Sequence, residues 1–384
     1  MSARLAAALA MAATLAAAAP SAASGALPRD FFGVGLDQRT LANEQVDRAA
    51  EFALMRASGV ETVRVRVSWA NAQPRPPGGP LPRGWEPVGG VATSFASTDY
   101  LMLAAGRFGL AVQLAVDDAP RWARRGREQR SPPSGTRRYA AFVEALVARY
   151  RPDSPFWTGL GVPAALRARI AGLEVWTEPN LLTGWVVHPL LPYDGHTLQG
   201  AYARLLRATR LAVRRADPRV RVLVGALAAR SWDALARLYR LGGRGAFDGV
   251  ALEVYGARVR DLLADIGRVR RVLRRHGGGP VPIVVAQMGW SSAAHLTLEG
   301  DELVLDSDER GQARLAAESL QALAAARRRL GISRVVWASW VTADRDLENG
   351  FDYVGLRRLD DFGVVSKPAL RAYARTALAL ESRG

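Results

Sequence analysis

The feature that most constrains this chain is a rhythm. Short apolar runs alternate with segments of helical periodicity from residue 31 to the C-terminal end. The runs are FFGVGL (31–36), ETVRVRVSW (61–69), LAVQLAV (110–116), GLEVWTE (172–178), VRVLVGAL (220–227), FDGVALEVY (247–255), VPIVVAQMGW (281–290) and SRVVWASW (333–340). Their length and β-branched content suit buried strands, and helix-period segments such as 44–59, 135–150, 198–216 and 367–380 stand between or after them. Eight strand–helix units in a chain of 384 residues predict an α/β fold, a single (β/α)8 TIM barrel. The competing architecture is a doubly wound open sheet, which would carry a Gly-rich phosphate turn after its first strand. Here that turn reads GVGLDQRT (33–40), without the third glycine and without a helix directly behind it.

The barrel is expected to occupy residues 25–384. Residues 1–24 read as a secretory signal: Arg4, then the apolar run Leu5–Ala19, Pro20 and small residues through Ser24. A secreted, extracytoplasmic protein is therefore expected, and no later segment is apolar for long enough to span a bilayer. The absence of cysteine removes disulfides and thiolate chemistry. A formal charge of +16 raises the question of nucleic acid, yet the basic residues are almost all Arg, spread over many helix faces, and no base-reading module accompanies them. No nucleic-acid partner is expected, although the charge suits weak attraction to acidic polysaccharide. His188, His196, His276 and His295 lack metal-ligand spacing, and Ser291–Ser292 do not lie in a GxSxG elbow. The acidic stretch 299–309 has the composition of a calcium loop but reads better as a solvated loop before the seventh helix, with Asp306 or Ser307 near its N-cap.

In a barrel of this type the chemistry gathers where strands end and the following loops begin. Strand two brings Arg64 and Arg66 to one face by period-two alternation. Strand three runs into Asp117, Asp118 and Trp122, and strand four ends at Glu178 in a Pro-stiffened turn. Strand six offers Glu253 and Tyr255, strand seven Gln287 and Trp290, strand eight Trp340. Long insertions at 73–87 and 342–366 follow strands and belong to the same rim, whereas 154–172 precedes strand four and belongs to the opposite face. A rim of aromatic rings, carboxylates and arginines suits a carbohydrate, whose apolar faces stack on rings and whose hydroxyls bond to charged groups. Trp185 is placed with that set, while Trp69 and Trp337 also fit ordinary packing between barrel and helices.

The series VRVRVSW, APRWA, LEVWTEPN, VALEVYG, PIVVAQMGWSS, VVWASW and VGL…KPAL…AY resembles the clan A glycoside hydrolases, nearest to the family thirty-nine and family five groups. The resemblance runs in order along nearly the whole mature chain. It implies a cofactor-free barrel that acts on O-glycosidic bonds of a poly- or oligosaccharide with retention of configuration through two glutamates. It puts Glu178 at the general acid/base, Arg64 at the arginine supporting the nucleophile, Tyr255 at the strand-six tyrosine and Trp340 at the aromatic floor of the sugar subsite. Asn180 and Trp290 match flanking positions. Three positions depart from the pattern: Thr177 replaces an Asn that bonds the sugar 2-hydroxyl, Glu253 replaces a His, and Gln287 replaces the nucleophilic Glu.

An amide keeps the shape of a carboxylate and loses its charge, so ordinary double displacement through Gln287 is disfavoured. Four routes then remain open. Glu253 could serve as the second carboxylate, strand six being next to strand seven. Glu178 could act as the acid of an inverting enzyme, with Asp117, Asp118 or Asp344 activating water. A substrate acetamido group could attack, with Gln287 orienting it. Alternatively the barrel is a carbohydrate-binding pseudoenzyme. Oligomeric state is not legible in the sequence.

Overall fold

The computed structural model describes residues 26–37, 43–181, 183–185, 200–294, 307–346 and 348–382. The segment read as a signal, residues 1–24, lies outside the described residues, as do His188, His196 and His295.

Eight parallel strands close into a barrel in chain order: β1 (Phe32–Leu36), β2 (Thr62–Ser68), β3 (Ala111–Asp117), β4 (Ile170–Val175), β5 (Val222–Leu227), β6 (Gly249–Glu253), β7 (Ile283–Met288) and β8 (Ile332–Trp337), with β8 pairing back onto β1. Each corresponds to one of the eight apolar runs. β1, β3, β5 and β6 are buried along their full length, as strands covered on both faces must be. A long helix follows each strand: α1 (Arg48–Ala57), α2 (Ala96–Arg107), α3 (Thr136–Arg149), α4 (Gly200–Ala216), α5 (Ser231–Arg240), α6 (Val259–Arg275), α7 (Glu309–Leu330) and α8 (Pro368–Glu381). Local chemistry sets several of their ends. The Asp47 carboxylate caps α1 by accepting from the Ala50 N–H at 3.0 Å. Pro368 opens α8, where its missing N–H costs nothing. α7 stops at Gly331, whose φ of 68° turns the chain straight into β8. Its N-cap is Asp308, a residue or two beyond the expected Asp306 or Ser307, because the Asp308 carboxylate accepts from the Gly311 N–H.

The barrel interior is divided. On β5–β7 it is filled by a small apolar cluster that includes Leu223, Ala251, Val284 and Ala286. On β2–β4 and β8 it holds Arg64, Gln113, Glu174 and Arg334, all buried and hydrogen-bonded to one another. The outer core lies between strands and helices and takes up Trp69, Trp157, Trp176, Trp185, Trp290, Trp337 and Trp340, all buried.

The insertions fall where the strand polarity puts them. Residues 154–172 carry a short helix, Pro155–Gly159, and pack the Leu166–Ala168 backbone against Gly106 at the end of α2, ahead of β4. The excursion after β8 forms its own small sheet from Val341–Thr342, Arg357–Asp360 and Gly363–Ser366. No described helix is long and apolar enough to cross a membrane.

Candidate active site

The strand ends surround a cavity of about 960 Å³, lined among others by Arg64, Arg66, Asp117, Asp118, Thr177, Glu178, Glu253, Tyr255 and Gln287. At its floor, Arg64 forms a buried pair with the deeper Glu174. Arg64 donates from Nε to Glu174 Oε1 at 2.7 Å and from Nη2 to Oε2 at 2.8 Å. Gln113 adds a third donor to Glu174 Oε1 at 2.5 Å, and Arg334 donates to Gln113 Oε1 at 2.7 Å. Burial works against the Arg64 charge, but Glu174 outweighs it and raises the guanidinium pKa, so Arg64 stays charged. The expected role of Arg64 changes accordingly. Its fork is committed to Glu174, while the Gln287 amide takes its bond from Tyr255, whose hydroxyl donates to Gln287 Oε1 at 2.9 Å.

Glu178 leaves β4 on a strained turn. Trp176 and Glu178 hold φ values of 70° and 48°, a left-handed conformation that costs of order 1–3 kcal/mol for each non-glycine residue. Several bonds enforce it. The Trp176 N–H donates to Val116 O at 2.9 Å, the Glu178 N–H to Ala226 O at 3.1 Å, and Trp176 Nε1 to Gly184 O at 2.6 Å. Asn180, fully buried, donates from Nδ2 to Ala228 O at 2.7 Å and accepts from the Ala228 N–H at 3.3 Å. The carboxylate therefore points into the cavity, where Arg130 donates to Oε2 at 3.2 Å.

Glu253 ends β6 directly beside Gln287 of β7 in register. It is buried, lies 3.8 Å from Arg64 Nη2, and is within hydrogen-bonding reach of the Glu178 carboxyl. Burial pushes its pKa well above the ordinary carboxylate range, and the neighbouring Glu178 charge pushes it further, with Arg64 pulling the other way. Its Oε1 has no hydrogen-bond partner. On the opposite wall Asp117 accepts from Arg66 Nε at 2.9 Å, Asp118 lies 3.9 Å from Arg66 Nη2, and each keeps a buried, unpartnered Oδ1. Burial raises the Asp117 pKa against the pull of Arg66.

Of the expected site residues, Arg64, Asp118, Thr177, Glu178, Glu253, Tyr255 and Gln287 meet at the cavity. Five do not belong to its lining. Trp340 is buried and donates to Glu51 Oε2 at 2.7 Å, so it floors no subsite. Trp290 is buried against Trp337 and donates to Gly256 O at 2.9 Å. Trp185 packs between Trp176 and Tyr202. Trp122 stands edge-on to Trp69 and donates to Gln73 O at 2.9 Å, and Asn180 is spent on the β5 loop as described. Dense packing of the large apolar ring favours these positions, and three of the four indoles, those of Trp122, Trp290 and Trp340, also place their N–H on an acceptor. Asp344 is likewise withdrawn, its carboxylate accepting from Lys367 Nζ at 2.8 Å and from the Thr342 hydroxyl at 2.6 Å. The sequence reading missed Glu174, Arg130 and Phe351. A charge in the middle of an otherwise buried strand was the available signal for Glu174. Arg130 and Phe351 sit in loops that carry none.

The closed ring of eight parallel strands, each followed by a helix, is a (β/α)8 barrel, with Glu178 and Glu253 at the ends of β4 and β6 lining its mouth. No family model and no curated protein matches the sequence. Solved structures do. A family 39 glycoside hydrolase from the gut symbiont Bacteroides cellulosilyticus is 16% identical, with a TM-score of 0.61 over 92% of this chain and 64% of its own. A monomeric β-xylosidase from Caulobacter crescentus is 17% identical, with a TM-score of 0.63 over 91% and 68%. A GH5_18 enzyme from Streptomyces cattleya, solved with GlcNAc, is 19% identical, with a TM-score of 0.61 over 93% and 82%. The chain thus spans less than two thirds of the first of these, and what it shares with all three is the fold.

Proposed function

We propose that the protein binds a saccharide in the mouth cavity and acts on an O-glycosidic bond, with Glu178 as general acid/base. The observation that carries this reading is the meeting of Glu178 and Glu253, from two different strands, in one cavity beside Gln287. Two carboxyls in contact do not both ionise, so the pair holds one proton at neutral pH. Burial favours Glu253 as its resting place, and Glu178 is the more exposed of the two and stands beside Arg130. As a sugar enters, the proton of the pair is taken up by Glu178 and goes from there to the departing glycosidic oxygen as the bond to the anomeric carbon breaks. The carboxylate left on Glu253 supplies the negative charge that Gln287 lacks, and a water oxygen bonds to the anomeric carbon while giving one proton back to the carboxylate pair.

The reading also proposes export, resting on Arg4 and the run Leu5–Ala19; N-terminal sequencing of protein from the culture medium tests it.

A screen of aryl glycosides and polysaccharides with the native protein and the Glu178→Gln, Glu253→Gln and Gln287→Glu variants tests the assignment. Native turnover that falls by at least about 10²-fold in both Glu178→Gln and Glu253→Gln supports the shared-proton pair. Turnover that arises only in Gln287→Glu identifies a disabled hydrolase. Calorimetric sugar binding without turnover in any variant makes the barrel a carbohydrate-binding pseudoenzyme.

A further inference from the structure

With Trp340, Trp290, Trp185 and Trp122 withdrawn from the cavity, its described wall retains two aromatic rings, Tyr255 and Phe351. Phe351 comes from the excursion after β8, and it is 39% exposed on a chain whose other large rings are mostly buried. Its ring meets that of Tyr255 edge-on, with centroids 5.2 Å apart and planes at 74°. Tyr255 is the residue whose hydroxyl holds Gln287, so the exposed ring stands one side chain away from the position where the sugar would react.

The mount is rigid. The Asn349 side chain accepts from the Phe351 N–H at 3.0 Å, opening the 3-10 turn Gly350–Tyr353. The Asp352 carboxylate accepts from the N–H groups of Arg345 and Asp346 at 2.7 and 2.9 Å. Lys367, the only lysine in the chain and fully buried, donates to Asp344 Oδ2 and to Tyr353 O, both at 2.8 Å. Gln312 of α7 donates to the same Tyr353 carbonyl at 3.0 Å. These bonds fix the backbone that carries the phenyl ring, and the ring itself packs edge-on to Tyr255 at the cavity wall. Leaving such a ring wet forfeits burial energy unless an apolar surface covers it in use.

We propose that Phe351 is the platform of a sugar subsite, stacking on the apolar C–H face of a pyranose unit, with Tyr255 edge-on beside it. The inference rests on the saccharide reading above and adds a ligand class to it. A single phenyl ring matches one pyranose, and sugars with equatorial hydroxyls offer the widest unbroken C–H face. Gluco- and xylo-configured units are therefore the expected occupants.

The test is calorimetric binding of β1,4-linked tetrasaccharides of xylose, glucose and N-acetylglucosamine to the wild type, Phe351→Ala and Phe351→Trp. Loss of the ring should weaken the best ligand about tenfold, while the thermal midpoint stays where it was, since the ring is exposed. Phe351→Trp should restore binding, and the emission of its exposed indole should shift to the blue as sugar is added. Saturable wild-type binding that Phe351→Ala leaves within about twofold overturns this inference and leaves the saccharide reading standing. Failure of every saccharide, including the aryl glycosides and polysaccharides, to bind the wild type overturns both.

Discussion

At residue 253 a carboxyl is buried beside Glu178 and ends up with a pKa well above its unfolded value. The consequence for stability has a definite sign. Below the unfolded carboxylate pKa, near 4.5, both states are protonated and nothing is lost. As the pH rises from there towards the folded value, the unfolded state gives up its proton first, so folding loses free energy, at about 1.4 kcal/mol per unit of elevation. Glu253→Gln keeps the shape and offers Glu178 an amide N–H in place of the acid O–H, but cannot ionise. Thermal melts should find the variant no more stable than wild type at pH 4 and more stable by at least about 1 kcal/mol at pH 8. Arg64 makes the opposite case, because its charge is matched. Arg64→Met strands Glu174 at the centre of the barrel, and urea unfolding should show a loss of about 3–5 kcal/mol. Arg64→Lys should recover only part of it, since a point charge cannot reproduce the two parallel bonds.

Among the elements, the turn after β4 governs where Glu178 stands. Gly184 lies against the Glu178 carbonyl and Cβ so closely that a methyl group there must displace them. Gly184→Ala should therefore preserve the circular dichroism of the barrel while lowering kcat about 10²-fold, the usual cost of misplacing a reacting group by about 1 Å. The same turn shows what a linear reading can and cannot deliver. WTEPN placed Glu178 at a strand end and its carboxylate at the rim, because strand polarity and a following Pro suffice for that. It gave no hint that Asn180 would turn inward to tie the β5 loop, or that Trp185 would wedge between Trp176 and Tyr202. A loop residue's direction is set by whichever neighbour offers a carbonyl or a packing surface, and those neighbours are far away in sequence. Trp290 and Trp340 follow strands in the same way and found Gly256 and Glu51 instead of solvent.

For the whole molecule, charge is distributed in two senses. The chain carries a formal +16, yet the described cavity lining holds six carboxyl groups, those of Asp37, Asp117, Asp118, Glu178, Glu253 and Asp265, against the four guanidinium groups of Arg64, Arg66, Arg130 and Arg230. Attraction to acidic polymers should therefore belong to the exterior. Retention on an anionic polysaccharide column at low ionic strength should disappear by about 0.5 M salt, where the Debye length has fallen to a few ångströms. Binding of neutral sugar in the cavity, measured at the same two salt concentrations, should hardly change.

The sequence by itself determined the eight strand–helix units, their order and hence the end of the barrel where reactive groups collect, because periodicity and apolar run length are local properties and one parallel closure satisfies them all. It also determined that position 287 carries no charge. Tertiary structure alone decided which rim residues face a ligand: it withdrew four tryptophans into the shell between strands and helices, bound Arg64 to Glu174, brought Glu253 against Glu178, and left Phe351 in the open. The physical reason is that burial and hydrogen-bond satisfaction are settled between residues up to 340 positions apart, as from Gly33 to Tyr373, and no window of the chain contains both partners.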